Sequence, residues 1–190
     1  MLVGLGSAVV SGCAGLVPEP EPPLACGAGD VVKTRGWPEG GAEWCESSTG
    51  VRNGPARMWS RGFSVKGTYR DGDATGRWTA SWPNGRRAGQ LDFTNGVPHG
   101  RLIAWYEDGR RTLAEGVFEE GRVRTPVVFF DTLGRARYRL DAETMGPMDG
   151  HAFDERGVEV TPDAAWLPTV LPKAYELLIA VVTLIAQRTR

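Results

Sequence analysis

Apolar and polar residues alternate along the middle of the chain in short runs broken by glycine. Phe63, Val65, Gly67 and Tyr69 fall on one side of such a run, and Trp78, Ala80 and Trp82 on one side of the next. Leu91 and Phe93, Ile103 and Trp105, Leu113 and Val117, and Val127 and Phe129 continue the series. A period of two over a few residues predicts half-buried β-strands. Almost every run carries an aromatic near its end: Trp59, Tyr69, Trp82, Phe93, Tyr106, Phe118, Phe130 and Tyr138. In an antiparallel ribbon these rings would meet across strands, each pair contributing about 0.2–1 kcal/mol. Gly67, Gly89 and Gly116 fall opposite rings and would let them lie flat on a neighbouring backbone.

The glycines also set a period. Arg61-Gly62, Asn84-Gly85, Asp108-Gly109 and Leu133-Gly134 are spaced by 23, 24 and 25 residues. A second set falls between them: Asn53-Gly54, Asp71-Gly72, Asn95-Gly96 and Glu120-Gly121. Asn-Gly and Asp-Gly are hairpin signals, because both residues accept the positive φ of a primed turn. A repeat of this length argues for units that contact only their neighbours. The expected fold is mainly β, an antiparallel β-meander of repeated hairpins over residues 26–140, most regular from Trp44 onward.

The motif Tyr69-Arg70-Asp71-Gly72, Gly76, Trp82-Pro83-Asn84-Gly85 recurs as Phe93-Thr94-Asn95-Gly96, Pro98-His99-Gly100, Trp105-Tyr106-Glu107-Asp108-Gly109. It resembles the MORN-type repeat family and its bacterial relatives known as YwqK-type antitoxin repeats. The likeness covers about half the chain. Two units, 67–116, match well; the unit at 53–62 is a residue shorter, and that at 121–134 has Thr125-Pro126 in place of the second glycine. The resemblance implies a linear antiparallel meander that works in protein interaction and near membranes.

Residues 141–190 form an extension. Met148-Asp149-Gly150 and Glu155-Arg156-Gly157 could frame a last degenerate hairpin around Val158 and Val160. After Pro168 and Pro172, residues 173–188 predict a short apolar helix with basic residues at its end. Its apolar run is about half of what a bilayer crossing requires. It would cover the open sheet, or rest on a membrane or a partner.

Composition agrees with a turn-rich chain: 26 Gly and 13 Pro among 190 residues, with seven Trp to supply buried area. Net charge is −1, but it is uneven. Residues 50–140 carry sixteen Lys/Arg against nine Asp/Glu, and the two ends are acidic. An Arg-rich centre between acidic ends is a solvated sheet face, or it meets an anionic partner such as lipid head groups, a glycan or an acidic protein.

The first residues are small and apolar and lead into Val10-Ser11-Gly12-Cys13. This tetrad resembles a bacterial lipobox, which implies a signal peptide over 1–12 and a lipid on Cys13. No Lys or Arg precedes Lys33. Either the basic start of a signal peptide lies upstream, or the segment is a small-residue coil with a free cysteine. Residues 13–25 then read as the lipidated cysteine and a Pro/Glu tether, extended and without a core. Cys26 and Cys45 are left as an even pair. In an exported protein they would form a disulfide, and in a cytosolic one they would stay reduced.

Candidate chemistry is sparse. His99, in the Pro98-His99-Gly100 segment, and His151 read as turn and loop residues. No nucleophile elbow, phosphate loop or zincin motif occurs. The sequence therefore predicts a non-enzymatic envelope lipoprotein that needs no cofactor or metal. Its hairpins would bind an unknown protein or an anionic envelope component, with nucleic acid not expected. The alternative is a cytoplasmic antitoxin-like protein that neutralises a partner toxin. The candidate residues are Cys13 for lipidation, Cys26 and Cys45 for a disulfide, and the ring set Trp59, Tyr69, Trp82, Phe93, Trp105, Tyr106 and Phe118. The turn set is Gly54, Gly62, Gly72, Gly85, Gly96, Gly109 and Gly121.

Overall fold

The structure, a computed structural model, describes residues 21–37, 40–60, 62–140 and 150–161. Among these, every regular element is a strand. The strands are β1 (Val31–Trp37), β2 (Gly40–Glu46), β3 (Arg52–Ser60), β4 (Ser64–Arg70), β5 (Asp73–Ser81) and β6 (Arg87–Thr94). They continue as β7 (Val97–Trp105), β8 (Thr112–Glu119), β9 (Arg122–Phe130), β10 (Ala136–Leu140), β11 (Gly150–Phe153) and β12 (Glu159–Val160). All twelve pair in sequence order in one antiparallel sheet, the meander that the glycine spacing predicts. The expected helix at 173–188 and the lipobox at Cys13 lie outside the described residues.

The two turn sets occupy opposite ends of the strands. Asp71-Gly72, Asn95-Gly96 and Glu120-Gly121 join β4 to β5, β6 to β7 and β8 to β9. Both residues of each turn have positive φ, as in Asp71 at 51° and Gly72 at 90°. That geometry matches the strand twist and explains the Asn/Asp-Gly choice. The opposite turns are longer. The N–H groups of Gly85, Gly109, Gly134 and Gly157 bond to the carbonyls of Trp82, Tyr106, Asp131 and Asp154. Side-chain oxygens of Asn84, Asp108, Asp131 and Asp154 accept backbone N–H groups within these turns.

One face of the sheet is apolar and the other polar. On the apolar face Val65, Tyr69, Trp78, Leu91, Phe93, Leu102, Ala104, Ala114, Phe118, Val127, Phe129, Tyr138 and Leu140 form a continuous buried cluster. Large side chains lie down on glycines of the adjacent strand. A Cβ built on Gly67 would fall 2.0 Å from Cδ2 of Trp78, and one on Gly150 would fall 2.5 Å from the Tyr138 ring. Trp78 also meets Tyr69 and Phe93 edge-on, at 5.1 and 6.0 Å between centroids. On the polar face, cross-strand neighbours run Glu43, Arg57, Lys66, Thr79, Gln90, Ile103 and Glu115.

Several expectations need correction. Gly54 is not in a turn. It lies within β3 at φ 101°, where a Cβ would meet that of Cys45 at 3.3 Å. Its positive φ serves the register shift between Trp44 and Glu46. The β2–β3 turn lies at residues 47–51 instead, closed by Ser47 N–H to the Val51 carbonyl. His99 is in β7 opposite Asp92, and His151 is in β11, where its Nδ1 meets Glu159. Ile103 and Val117 fall outside the buried cluster, while Leu102, Ala104, Ala114 and Phe118 belong to it. Ile103 lies on the polar face between Gln90 and Glu115, and at the Ala104/Trp105 shift Leu113 is an extra residue of β8, so Leu113 and Val117 do not share a face. Gly116 faces Val127 rather than a ring, with a built Cβ 2.9 Å from Cγ2.

Candidate functional site

Two features of the fold set what its surface offers. The first is a ladder of side-chain bonds along the long-turn end of the sheet. Trp82 Nε1 donates to the Trp105 carbonyl at 3.0 Å, and Asn84 Nδ2 to that of Glu107 at 2.9 Å. Tyr106 Oη donates to the Phe130 carbonyl at 2.6 Å, and Arg87 Nε to that of Gly109 at 2.7 Å. Arg111 and Arg135 repeat the device on Thr132 and Glu155. Each bond spans about one repeat, so each turn props up the next. At the other end Gly72, Gly96 and Gly121 donate their N–H groups to the carbonyls of Arg52, Ala74 and Pro98.

This ladder explains much of the basic centre. Arg52 sits over the rings of both Trp44 and Tyr69, at 5.1 and 5.2 Å, and Arg87 lies 4.1 Å over Trp105. Arg77, Arg101 and Arg135 pair with Asp92, Glu115 and Asp131. Asp108 is held down at about 2, first by the Arg110 N–H and then by the Arg111 guanidinium. Asp131 is pushed up by partial burial, but the Arg135 and Leu133 bonds outweigh this and its pKa is lowered.

The second feature is a groove of about 350 Å³ on the polar face, next to the first long turn. Its lining includes Trp59, Phe63, Ser64, Ser81, Pro83 and Glu21. The register explains the depression. Gly41, Trp59, Ser64, Ser81 and Arg87 are successive cross-strand neighbours. Two serines therefore stand between a tryptophan and an arginine. Trp59 lies over Gly41, where a Cβ would fall 2.5 Å from Cζ2, and it keeps 38% of its surface exposed.

The segment before β1 closes one end of this groove. Glu21 Oε1 accepts from Lys66 Nζ at 2.9 Å and Oε2 from Arg57 Nη1 at 3.1 Å. The same Arg57 Nη1 donates to the Pro22 carbonyl at 2.9 Å, and its Nε to Glu43 at 2.8 Å. The hydrogen bond from Lys66 is the main reason the Glu21 carboxyl titrates below its ordinary range. Cys26 and Cys45 form a disulfide that fixes this segment to β2.

The candidate residues thus separate into roles. Tyr69, Phe93 and Phe118 are core, Trp82, Trp105 and Tyr106 belong to the ladder, and Trp59 alone of the ring set lines the groove while well exposed. Gly72, Gly85, Gly96, Gly109 and Gly121 are turn residues, and Gly62 sits in the β3–β4 connection, its N–H bonded to Ser60 Oγ. The pattern did not single out Ser64, Lys66, Ser81, Arg57 or Glu21. The first four are ordinary polar positions of a strand alternation, and Glu21 looks like one of several tether carboxylates. Cross-strand register brings Arg57 to Lys66 and Ser64 to Ser81, and the bonds of Glu21 add the segment before β1. No family model matches the chain, and no curated protein shows significant similarity to it.

Proposed function

We propose that this chain is a non-enzymatic binding protein of the bacterial cell envelope, with a MORN-like hairpin sheet held to a membrane by a lipid on Cys13. The observation that carries this reading is the Cys26–Cys45 disulfide, which closes a separation of 19 residues directly after the Pro/Glu segment. Such a bond persists in an oxidising compartment and is rare in the cytoplasm. By loop length it contributes about 3 kcal/mol. The polar face supports a binding role, since its groove offers an exposed ring, hydroxyls and a cation on a rigid sheet. The partner is another envelope component, a protein or an anionic one.

The test is labelling in a bacterial host. Palmitate incorporation and membrane partitioning are expected, both abolished by Cys13→Ser. Native protein should resist thiol reagents at Cys26 and Cys45 until reduced. Thiols that react at once, in a soluble and unlabelled protein, would overturn the envelope reading and favour the cytoplasmic antitoxin-like one.

A further inference from the structure

The groove beside Trp59 already holds one ligand group, supplied by the chain itself. Glu21 reaches it from a segment that continues as Pro22-Pro23. Its carboxylate bridges Lys66 and Arg57, and the next carbonyl, that of Pro22, is bonded by the same guanidinium. So the surface reads a side-chain anion and the adjacent backbone together. That is recognition of an extended peptide rather than of a free anion. Yet Glu21 lies in the wall of the groove and does not fill it, and the Ser64/Ser81 floor runs on toward Pro83. Trp59 and Phe63 line the same depression. Aromatic-lined grooves of this kind take proline rings, because an extended proline segment loses little entropy on binding.

We infer that the Trp59–Ser81 groove is a binding site for an extended acidic, proline-containing peptide, its carboxylate on Lys66 and Arg57 and its proline against Trp59 and Phe63. Glu21 is the resident occupant of the anion subsite and competes with a partner's carboxylate. The Cys26–Cys45 disulfide keeps this competitor nearby, since only four residues separate Glu21 from Cys26. Lys66 keeps 55% of its side chain exposed and Arg57 only 15%, so Lys66 is the cation a newcomer can reach. The inference rests on the binding-protein reading above and names the partner's chemistry for it.

A fluorescent peptide copying residues 16–25, which contains two Glu-Pro steps, is the probe. It is titrated by anisotropy into the oxidised full chain. Binding should weaken as salt rises from low to physiological strength. Glu21→Gln removes the competitor and should tighten binding about fivefold, the order a partly exposed ion pair supports. Lys66→Gln should weaken it by a similar factor, while Arg101→Gln, on the same face but outside the groove, should leave it unchanged. Ser81→Gln fills the floor without touching the buried cluster and should block binding in a protein whose circular dichroism is unaltered. Binding indifferent to Glu21→Gln and Lys66→Gln, or no binding at all, would overturn the inference. So would capture of a neutral oligosaccharide through Trp59 in place of the peptide. Pull-down from membranes keeps the two readings separate. A partner retained by Ser81→Gln protein refutes the groove but leaves the binding function, whereas no partner with a working groove refutes the function alone.

Discussion

Replacing Gly67 with alanine tests how the rings pack on the backbone of the sheet formed by the described residues. The Trp78 ring lies on the Gly67 backbone and is only 2% exposed. A Cβ at residue 67 would stand 2.0, 2.2 and 2.5 Å from Cδ2, Cε2 and Cγ of that ring. Carbon atoms settle at about 3.5–4.0 Å, so the ring or the strand must move by about 1.5 Å. Neither has room. Tyr69 and Phe93 hold the ring edge-on, and among the described residues Trp78 Nε1 has no hydrogen-bond partner, so packing against these neighbours fixes it. Overpacking costs about 1–3 kcal/mol and losing a buried aromatic altogether about 3–5. A loss of about 3 kcal/mol is expected, which lowers the urea midpoint by about 1.5 M for a slope near 2 kcal/mol/M. Gly36→Ala is the control. Among the described residues nothing lies within 4 Å of the new methyl group, and the change should shift stability by no more than about 0.5 kcal/mol. Combining Gly67→Ala with Trp78→Leu should cost less than the sum of the two, since the smaller side chain makes room. Urea unfolding followed by both fluorescence and circular dichroism reads the effect and checks that the transition is cooperative. A Gly67→Ala protein within 0.5 kcal/mol of the parent, on the scale that marks a neutral change, or additive costs in the double variant, would refute this account of the packing.

Three further outcomes follow from the turns. Glu120 stands at φ 50° in the slot that Asp71 and Asn95 fill in the other units; Glu120→Asn should raise stability by about 0.5–1 kcal/mol in thermal unfolding, and a lower midpoint would contradict it. Tyr106→Phe removes the bond to the Phe130 carbonyl and should cost about 1 kcal/mol, with faster amide exchange in the turn after β9. Asp108, Asp131 and Asp154 have pKa values lowered below 3.8, Asp108 to about 2. Their contribution is therefore complete above the ordinary carboxylate range and lost as pH falls through the folded values. Melting temperature should fall between about pH 4 and pH 2; a flat profile there would be inconsistent with carboxylate-held turns.

The hairpin meander was legible because Asn/Asp-Gly pairs have few alternatives to a primed turn, and because alternation over five or more residues fixes a face. Val65, Tyr69, Leu91 and Phe93 were placed correctly on that basis. The reading slipped where the chain adds a residue. Leu113 is an extra residue of β8 at the Ala104/Trp105 shift, so it joins the buried cluster while Val117 does not. Gly54 misled for a related reason: positive φ marks bulges as well as turns. Thr125 shows that the missing glycine of its unit is not a missing function. Its hydroxyl accepts from Val117 N–H at 3.1 Å, at a register shift between β8 and β9. The groove was not legible at all. Its parts come from the β3–β5 polar face, one turn and the segment before β1, and no local pattern connects them.

The Arg-rich centre is where sequence and structure together change the argument. Net positive charge over residues 50–140 reads as a surface waiting for an anion. In the fold, Arg52 and Arg87 cap rings, Arg87 and Arg111 hold the next turn's carbonyls, and Arg77 and Arg101 pair across strands. Single exposed pairs of this kind contribute little to stability. Repeated at a fixed offset, however, they specify which turn follows which, a register problem that a sheet of similar hairpins must solve. Arginine suits this task because its planar fork can sit on a ring and reach a carbonyl at once, as Arg87 does. Lysine is rare among these groups, and Lys66 binds the tether carboxylate together with the less exposed Arg57. The division is chemical: rigid guanidinium groups order the repeats, and a flexible ammonium faces the groove. A uniform screen of Arg→Gln variants should therefore lower stability across the ladder, while peptide binding at the groove answers to Lys66.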